Sequence, residues 1–553
     1  MDQKGKTSPT MQRMLILVLF CLAAMALADD APTHLTQAQA TKDARTFFML
    51  LESTHPDPYS NLGGKIEFKK TAEKLVHDIP AEGISVSELT DRLGAFLAPL
   101  KDGHTRVRGG RSRWQDPTPR LAVEFGVATD GLLIESSDLP ELKGTRGYML
   151  MAVEGHPVAE LLERMSAQVA TENNYGGYVG LTMALRSYKL LQNLIPDLDR
   201  TRGVAYTLQD ASGNKVERHV SWEGEHPEGP AKWSDKPPAW GGLDHSDQPF
   251  YYRFLDDGHT AYFRVANMNP REVYDVMKGY QVGDPKESVQ QYYKAHHQEM
   301  PTDIDAAIRG VPSLLEPGTQ MLEEMKAKNI PNVIIDLRDD GGGSTPVIVP
   351  FFYRMYGDSY FGRPDDAEFV QVKSQLYLEK YHSTVEEERK KDANFEVGEY
   401  EFTSGNEPGT AEEKRKKKFA EWNQRGIPWA RPLEELHGKP LYRPAKVIVL
   451  CSPGTFSAAF QAMFALHQMG AIVVGVPSAQ SPNAFMEGTP FVLPESGIQG
   501  LISNGTQMYM PKDPRANVFH PDFEATYAIV SKYDAGPDAT LRYALDLLAA
   551  GKI

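Results

Sequence analysis

Three nearly continuous apolar runs stand out in the C-terminal half: Val333-Ile334-Ile335-Asp336-Leu337, Val447-Ile448-Val449-Leu450 and Ala471-Ile472-Val473-Val474-Gly475. Short runs without polar alternation read as strands buried on both faces, the habit of parallel sheets. Gly341-Gly342-Gly343 follow the first run and Ser452-Pro453-Gly454 the second, and a helical stretch from about Ser457 to Met469 leads into the third. Strand, turn, helix and strand in that order predict a βαβ unit with parallel pairing and a right-handed crossover. Phe491-Val492-Leu493, the turn Pro494-Glu495-Ser496-Gly497 and the run from Ile498 to Ile502 predict a hairpin.

The N-terminal pattern is different. From Thr41 to Leu100 the apolar positions follow helical spacing, with Phe47, Phe48, Leu50 and Leu51 ahead of a helix-ending His55-Pro56. Ser85 and Glu88 form a capping box, and Leu89, Leu93, Phe96, Leu97 and Leu100 share one face of the helix it opens. That helix is read as running straight into Lys101-Asp102-Gly103-His104-Thr105. Residues from about 121 to 220 look β-rich with one helix, a small β domain or a PDZ-like one. Residues 356–439 are highly polar, and interleaved charge runs such as Glu386 to Lys391 and Glu412 to Lys418 predict a solvated helix or a mobile insertion.

Residues 1–28 have the form of a secretory leader. Lys4, Lys6 and Arg13 precede an apolar run from Met14 to Ala28, and Ala26-Leu27-Ala28 supplies the cleavage pattern. The run is short for a bilayer span, so the expected product is exported, soluble and free of the membrane once the leader is removed. The expected organisation is therefore 1–28 leader, 29–105 helical domain, 106–240 β-rich domain, 241–355 first part of the core, 356–439 charged insertion and 440–553 second part of the core.

Composition narrows the classes. A chain of 553 residues has room for about three or four domains, and 41% apolar with 24% charged residues excludes wholesale disorder. A formal charge of −15 argues against a nucleic-acid or anionic-membrane surface. Of the two cysteines Cys21 lies in the leader, so Cys451 has no intrachain disulfide partner.

Chemistry has a few places to sit. Ser457 follows a buried strand at a helix start, where a hydroxyl is presented beside unpaired first-turn N–H groups; the plainer alternative is that Ser457 or Thr455 caps the helix. The three glycines let backbone amides approach a ligand, or form an ordinary tight turn. A hydroxyl nucleophile needs a base, and His104 is the candidate. His259 recurs in an identical Asp-Gly-His-Thr string but precedes an alternating run, and reads as a hairpin turn. Ser212-Gly213-Asn214-Lys215 also reads as a hairpin. The aromatic residues across 222–252 line a groove or, more simply, pack in core and loops. His296-His297 lack ligand spacing, and no His-Glu-x-x-His or phosphate-binding glycine motif occurs, so neither metal nor nucleotide cofactor is expected.

Together these residues resemble a known family. Asn332 to Gly343, Gly454-Thr455-Phe456-Ser457-Ala458-Ala459 and Ile472 to Pro477 are similar to the tail-specific, or C-terminal processing, serine peptidases and the tricorn protease core. His55-Pro56-Asp57, Leu100 to Thr105, Ser481-Pro482-Asn483, Phe491 to Gly497, Asp513-Pro514-Arg515 and Pro521-Asp522 resemble the tricorn-like bacterial branch. The resemblance implies a crotonase-like α/β core and a serine peptidase acting on peptide or protein. Ser457 would be the nucleophile, with Gly342 or Gly343 and Ala458 as oxyanion donors. Pro482 stands where tail-specific enzymes carry a lysine base, so the histidine of the other branch, His104, is implied as the base. For the orienting carboxylate, strict spacing falls on Arg515, and the role is assigned to Asp513, with Glu524 and Asp522 as fallbacks. Two rivals are an inactive peptide- or ligand-binding protein on the same scaffold and an esterase of small esters. His104 and Ser457 are far apart in the chain, so domains must dock to assemble the site.

Overall fold

The computed structural model describes residues 32–108, 120–222, 248–255, 257–513, 516–533 and 538–553. The leader, Arg515 and most of the aromatic stretch at 222–252 lie outside these residues. A central six-stranded sheet runs in the order Phe250–Phe254, Thr260–Val265, Asn332–Asp336, Lys446–Cys451, Ile472–Gly475, Phe523–Glu524. The first pair is antiparallel and every later pair is parallel, including the three runs predicted from their apolar character. Those runs need no polar alternation because both faces are covered. Val333, Ile335, Val447, Val449 and Val473 point into the main core. Ile334, Ile448, Leu450 and Val474 face the other way, onto the helix Ala539–Ala549 through Leu541, Ala544 and Leu547.

A second sheet orders Tyr400–Ser404, Glu368–Val372, Gln499–Met508 and Asn483–Val492, the last two being the predicted hairpin. The strand Arg106–Arg108 pairs with Gln499, Gly500 and Leu501, which anchors the segment just after His104. Three helices, Gln37–Thr54, Lys65–His77 and Val86–Leu97, pack over this hairpin, and Phe491, Leu493, Ile498 and Ile502 join their core. Ser85 caps the third helix by accepting from the Glu88 N–H. That helix does not run straight on: a 3-10 turn at Ala98–Leu100 and a left-handed Lys101 redirect the chain before His104.

Two regions differ from their sequence reading. The antiparallel sheet of Val123–Ala128, Gly131–Ser137, Met149–Val153, Val204–Gln209 and Lys215–Val220 carries three helices, Val158–Ser166, Asn174–Ala184 and Tyr188–Leu194, where one was expected. Three glycines mask the second helix, whose start is fixed by Asn173 accepting from Tyr175 and Gly176. The polar stretch 356–439 is built into the fold. Glu368–Val372 pairs with Gln499–Met508, Phe419 and Trp422 enter the main core, and Tyr377, Leu378 and Phe395 form a small core of their own. The hairpins at His259 and at 212–215 are as read. Among the described residues no helix is long and apolar enough to cross a membrane.

Candidate active site

Ser457 sits between the strand Lys446–Cys451 and the helix Ala458–Gln468 with φ 56° and ψ −123°, a left-handed conformation that L-residues adopt only when their surroundings enforce it. A strained strand-to-helix turn of this kind lifts a side chain out of the sheet. The capping alternative is decided by hydrogen bonds. Thr455 is structural, its hydroxyl donating to the Leu337 carbonyl (2.8 Å) and accepting from Ser452 N–H, whereas Ser457 caps nothing and its buried hydroxyl has no partner among the described residues.

The glycine-rich turn lies against this serine. Gly342 has φ +100°, and a Cβ added there would stand 2.6 Å from Ser457 Cβ and 3.0 Å from Ala458 N, so only glycine fits. Gly342 N–H is already committed, donating to Asp340 Oδ1 at 2.8 Å. Burial holds the Asp340 carboxyl well above the usual carboxylate range. Ser457 N–H is committed too, to Gln480 Oε1 at 2.5 Å. Among the described residues no acceptor is bonded to the N–H of Gly343 or of Ala458.

His104 reaches the same place from the other end of the chain. Its ring stacks on Phe456, the neighbour of Ser457, with centroids 4.8 Å apart. Gly103 permits this approach, since a Cβ there would lie 2.8 Å from the Phe456 ring and 3.0 Å from Glu172 Oε1. His104 N–H donates to Asp102 Oδ1 (2.8 Å), and Asp102 Oδ2 lies 3.2 Å from His55 Nε2, both side chains being fully buried. His55 Nδ1 accepts the Asp57 N–H, so the His55 proton sits on Nε2 and points at Asp102. Burial pushes the Asp102 carboxyl up, but bonds from His55 and Thr105 and the nearby His104 hold it at about 2.

Glu172, which no sequence pattern singled out, supplies a carboxylate behind the imidazole. Its Oε1 lies 3.6 Å from His104 Nδ1 and accepts Gly103 N–H, and its Oε2 accepts Ser481 N–H at 2.7 Å. Burial raises its pKa, opposed by His104 and the Ser481 amide. The next residue, Asn173, donates to the carbonyls of Ser478 and Asn517, which locks this segment onto the 478–481 loop. Neither ring nitrogen of His104 makes a hydrogen bond among the described residues; catalytic hydrogen bonds commonly tighten only around substrate.

Asp513 is placed elsewhere, on an exposed turn where its N–H bonds Met510 and its carbonyl accepts from Asn483. Of the fallbacks, Asp522 accepts the Val473 N–H at the start of that strand, and Glu524 pairs with His520. Asp102, His104 and Glu172 also form a group whose donor atoms lie within 4.8 Å of one another, the spacing a metal ion would use. Both carboxylates there spend their oxygens on N–H donors, which suits the holding of an imidazole better than the ligation of an ion.

A buried serine on a strained turn, with backbone N–H groups, an imidazole and a carboxylate near it, is an arrangement suited to acyl transfer, and comparison with known proteins agrees in class: the chain is a serine-type peptidase. Residues 318–491, which contain the glycine turn, Ser457 and Gln480, match peptidase family S41. The structure of mature CPAF complexed with lactacystin is similar over 92% of this chain and 99% of that one, at 15% identity and a TM-score of 0.52, which shows a shared fold. The photosystem II D1 C-terminal processing protease (12% identity, 89% of this chain and 94% of that one, TM-score 0.36) and the tricorn protease (11% identity, 93% and 36%, TM-score 0.33) are more distant. No curated protein matches the chain.

Proposed function

We propose that the protein is an exported peptidase that hydrolyses peptide bonds through an acyl-enzyme on Ser457, with His104 as general base and Glu172 as the orienting carboxylate. The observation that carries this reading is the stacking of His104 on the residue next to Ser457 with a buried carboxylate at its Nδ1 side. Glu172 at Nδ1 leaves Nε2 to take the Ser457 proton as Oγ bonds the peptide carbonyl carbon. Gly343 and Ala458 N–H groups then receive the negative oxygen. Collapse of the tetrahedral species breaks the C–N bond and His104 returns the proton to the leaving amine. Water, deprotonated by His104, releases the acyl group by the same route.

The leader reading of residues 1–28 supports export. The parallel sheet with helices on both faces supports a crotonase-like core, residues 32–108 a helical domain that carries the base, and the antiparallel sheet of 123–220 a PDZ-like module for peptide chains. Glu172 replaces Asp513 in this reading because it is the carboxylate that faces His104.

A fluorophosphonate probe tests the proposal. Covalent labelling and peptide cleavage are expected from the wild-type protein and from neither Ser457→Ala nor His104→Ala. Absence of labelling in well-folded wild-type protein would favour a peptide-binding role, and turnover of small esters without any peptide cleavage would favour an esterase.

A further inference from the structure

Residues 478–481 touch both halves of the site. Ser478 Oγ donates to the Thr455 carbonyl (2.5 Å), Ala479 N–H to the Pro453 carbonyl (3.2 Å), and Ser481 N–H to Glu172 (2.7 Å). Between them Gln480, fully buried, accepts the Ser457 N–H through Oε1 at 2.5 Å. An N–H can only be met by the oxygen of an amide, so the orientation of this side chain is fixed by chemistry. Its Nε2, on the same carbon, is buried and has no partner among the described residues.

A buried amide with two unused N–H bonds is costly and calls for an acceptor. The acyl carbon must come within bonding reach of Ser457 Oγ, on the same residue whose N–H Gln480 holds, so the substrate carbonyl arrives close to this amide. Two backbone donors there, Gly342 and Ser457, are already spent on Asp340 and on Gln480 itself. We infer that Gln480 is a further catalytic residue, donating from Nε2 to the carbonyl oxygen of the bound peptide as that oxygen gains negative charge, while Oε1 holds the nucleophile's backbone. This assignment rests on the acyl-enzyme reading above. It supplies a side-chain donor beside those of Gly343 and Ala458.

The test compares Gln480→Glu and Gln480→Ala with wild type on a fluorogenic peptide, with rates normalised to the fraction of chains titrated by fluorophosphonate. Gln480→Glu keeps the acceptor for Ser457 N–H and removes the donor. Loss of one oxyanion donor predicts kcat lower by about 10²–10³-fold with KM nearly unchanged. The deficit relative to wild type should shrink as pH falls, because a protonated carboxyl regains an O–H donor, a response that a structural role would not give. Gln480→Ala, which buries no charge, should show the same loss of kcat without the pH recovery. Near-wild-type kcat in either variant, or a loss confined to KM, overturns the assignment while leaving Ser457 and His104 in place. Wild-type protein that neither labels nor cleaves overturns the acyl-enzyme reading and this assignment with it.

Discussion

The two halves of the site are held by different physics. The half around Ser457 is backbone: a left-handed Ser457, a glycine at 342 that tolerates no Cβ, and amides presented beyond the ends of buried parallel strands. The half around His104 is a side-chain network drawn from segments around 55, 102–105 and 172, in which the buried carboxylates of Asp102 and Glu172 accept N–H groups from His55, Gly103, His104 and Ser481. A backbone device is set by the sheet and fails through steric collision. A side-chain network depends on the packing of segments far apart in the chain and fails through lost charge or hydrogen bonds, so substitutions in the two halves should differ in kind.

The largest effect separates chemistry from fold. Ser457→Ala is expected to lower kcat by about 10⁴–10⁶-fold, and His104→Ala by a similar factor because the two act as one unit, with thermal melting little changed for the former. Next, Glu172→Gln should cost about 10²–10⁴-fold in kcat by favouring the wrong imidazole tautomer, whereas Asp513→Asn should change little. The reverse order in the same kinetic assay would move the orienting role to Asp513 and dissolve the network as described.

Gly342→Ala tests the backbone half. The added methyl meets Ser457 Cβ, so activity and stability should fall together, stability by about 1–3 kcal/mol in denaturant unfolding. Asp102→Asn tests the network half by its pH signature. A carboxyl held at about 2, against 3.8 when free, adds stability that is fully present above about pH 4 and is lost as pH falls towards 2. The wild type should therefore lose about 2 kcal/mol relative to the variant across that acid window, as read by urea unfolding at several pH values. Parallel pH curves for the two proteins would place Asp102 outside the network.

Much of the backbone half was legible beforehand. Residues 333–337, 447–450 and 471–475 announced a parallel sheet because strands covered on both faces need no polar alternation, and Ser457 and the three glycines fall at the ends of those strands. His104 stood out through a short motif. Glu172 carried no such mark: it is one acid among 74 Asp and Glu residues, in a loop whose following helix is disguised by glycines. Residues 356–439 misled for a related reason, since their charges conceal the buried positions Tyr377, Leu378, Phe395, Phe419 and Trp422, which local composition does not reveal.

The sequence alone determined the three parallel core strands and the hairpin, and singled out Ser457 and His104 as candidates, because periodicity and turn chemistry are local and survive without knowledge of the fold. Only the tertiary structure decided which carboxylate faces His104, which glycine amide is spent on Asp340, and that Gln480 holds Ser457. Those relations depend on close contacts between groups far apart in the chain, and no local rule of spacing encodes such distances.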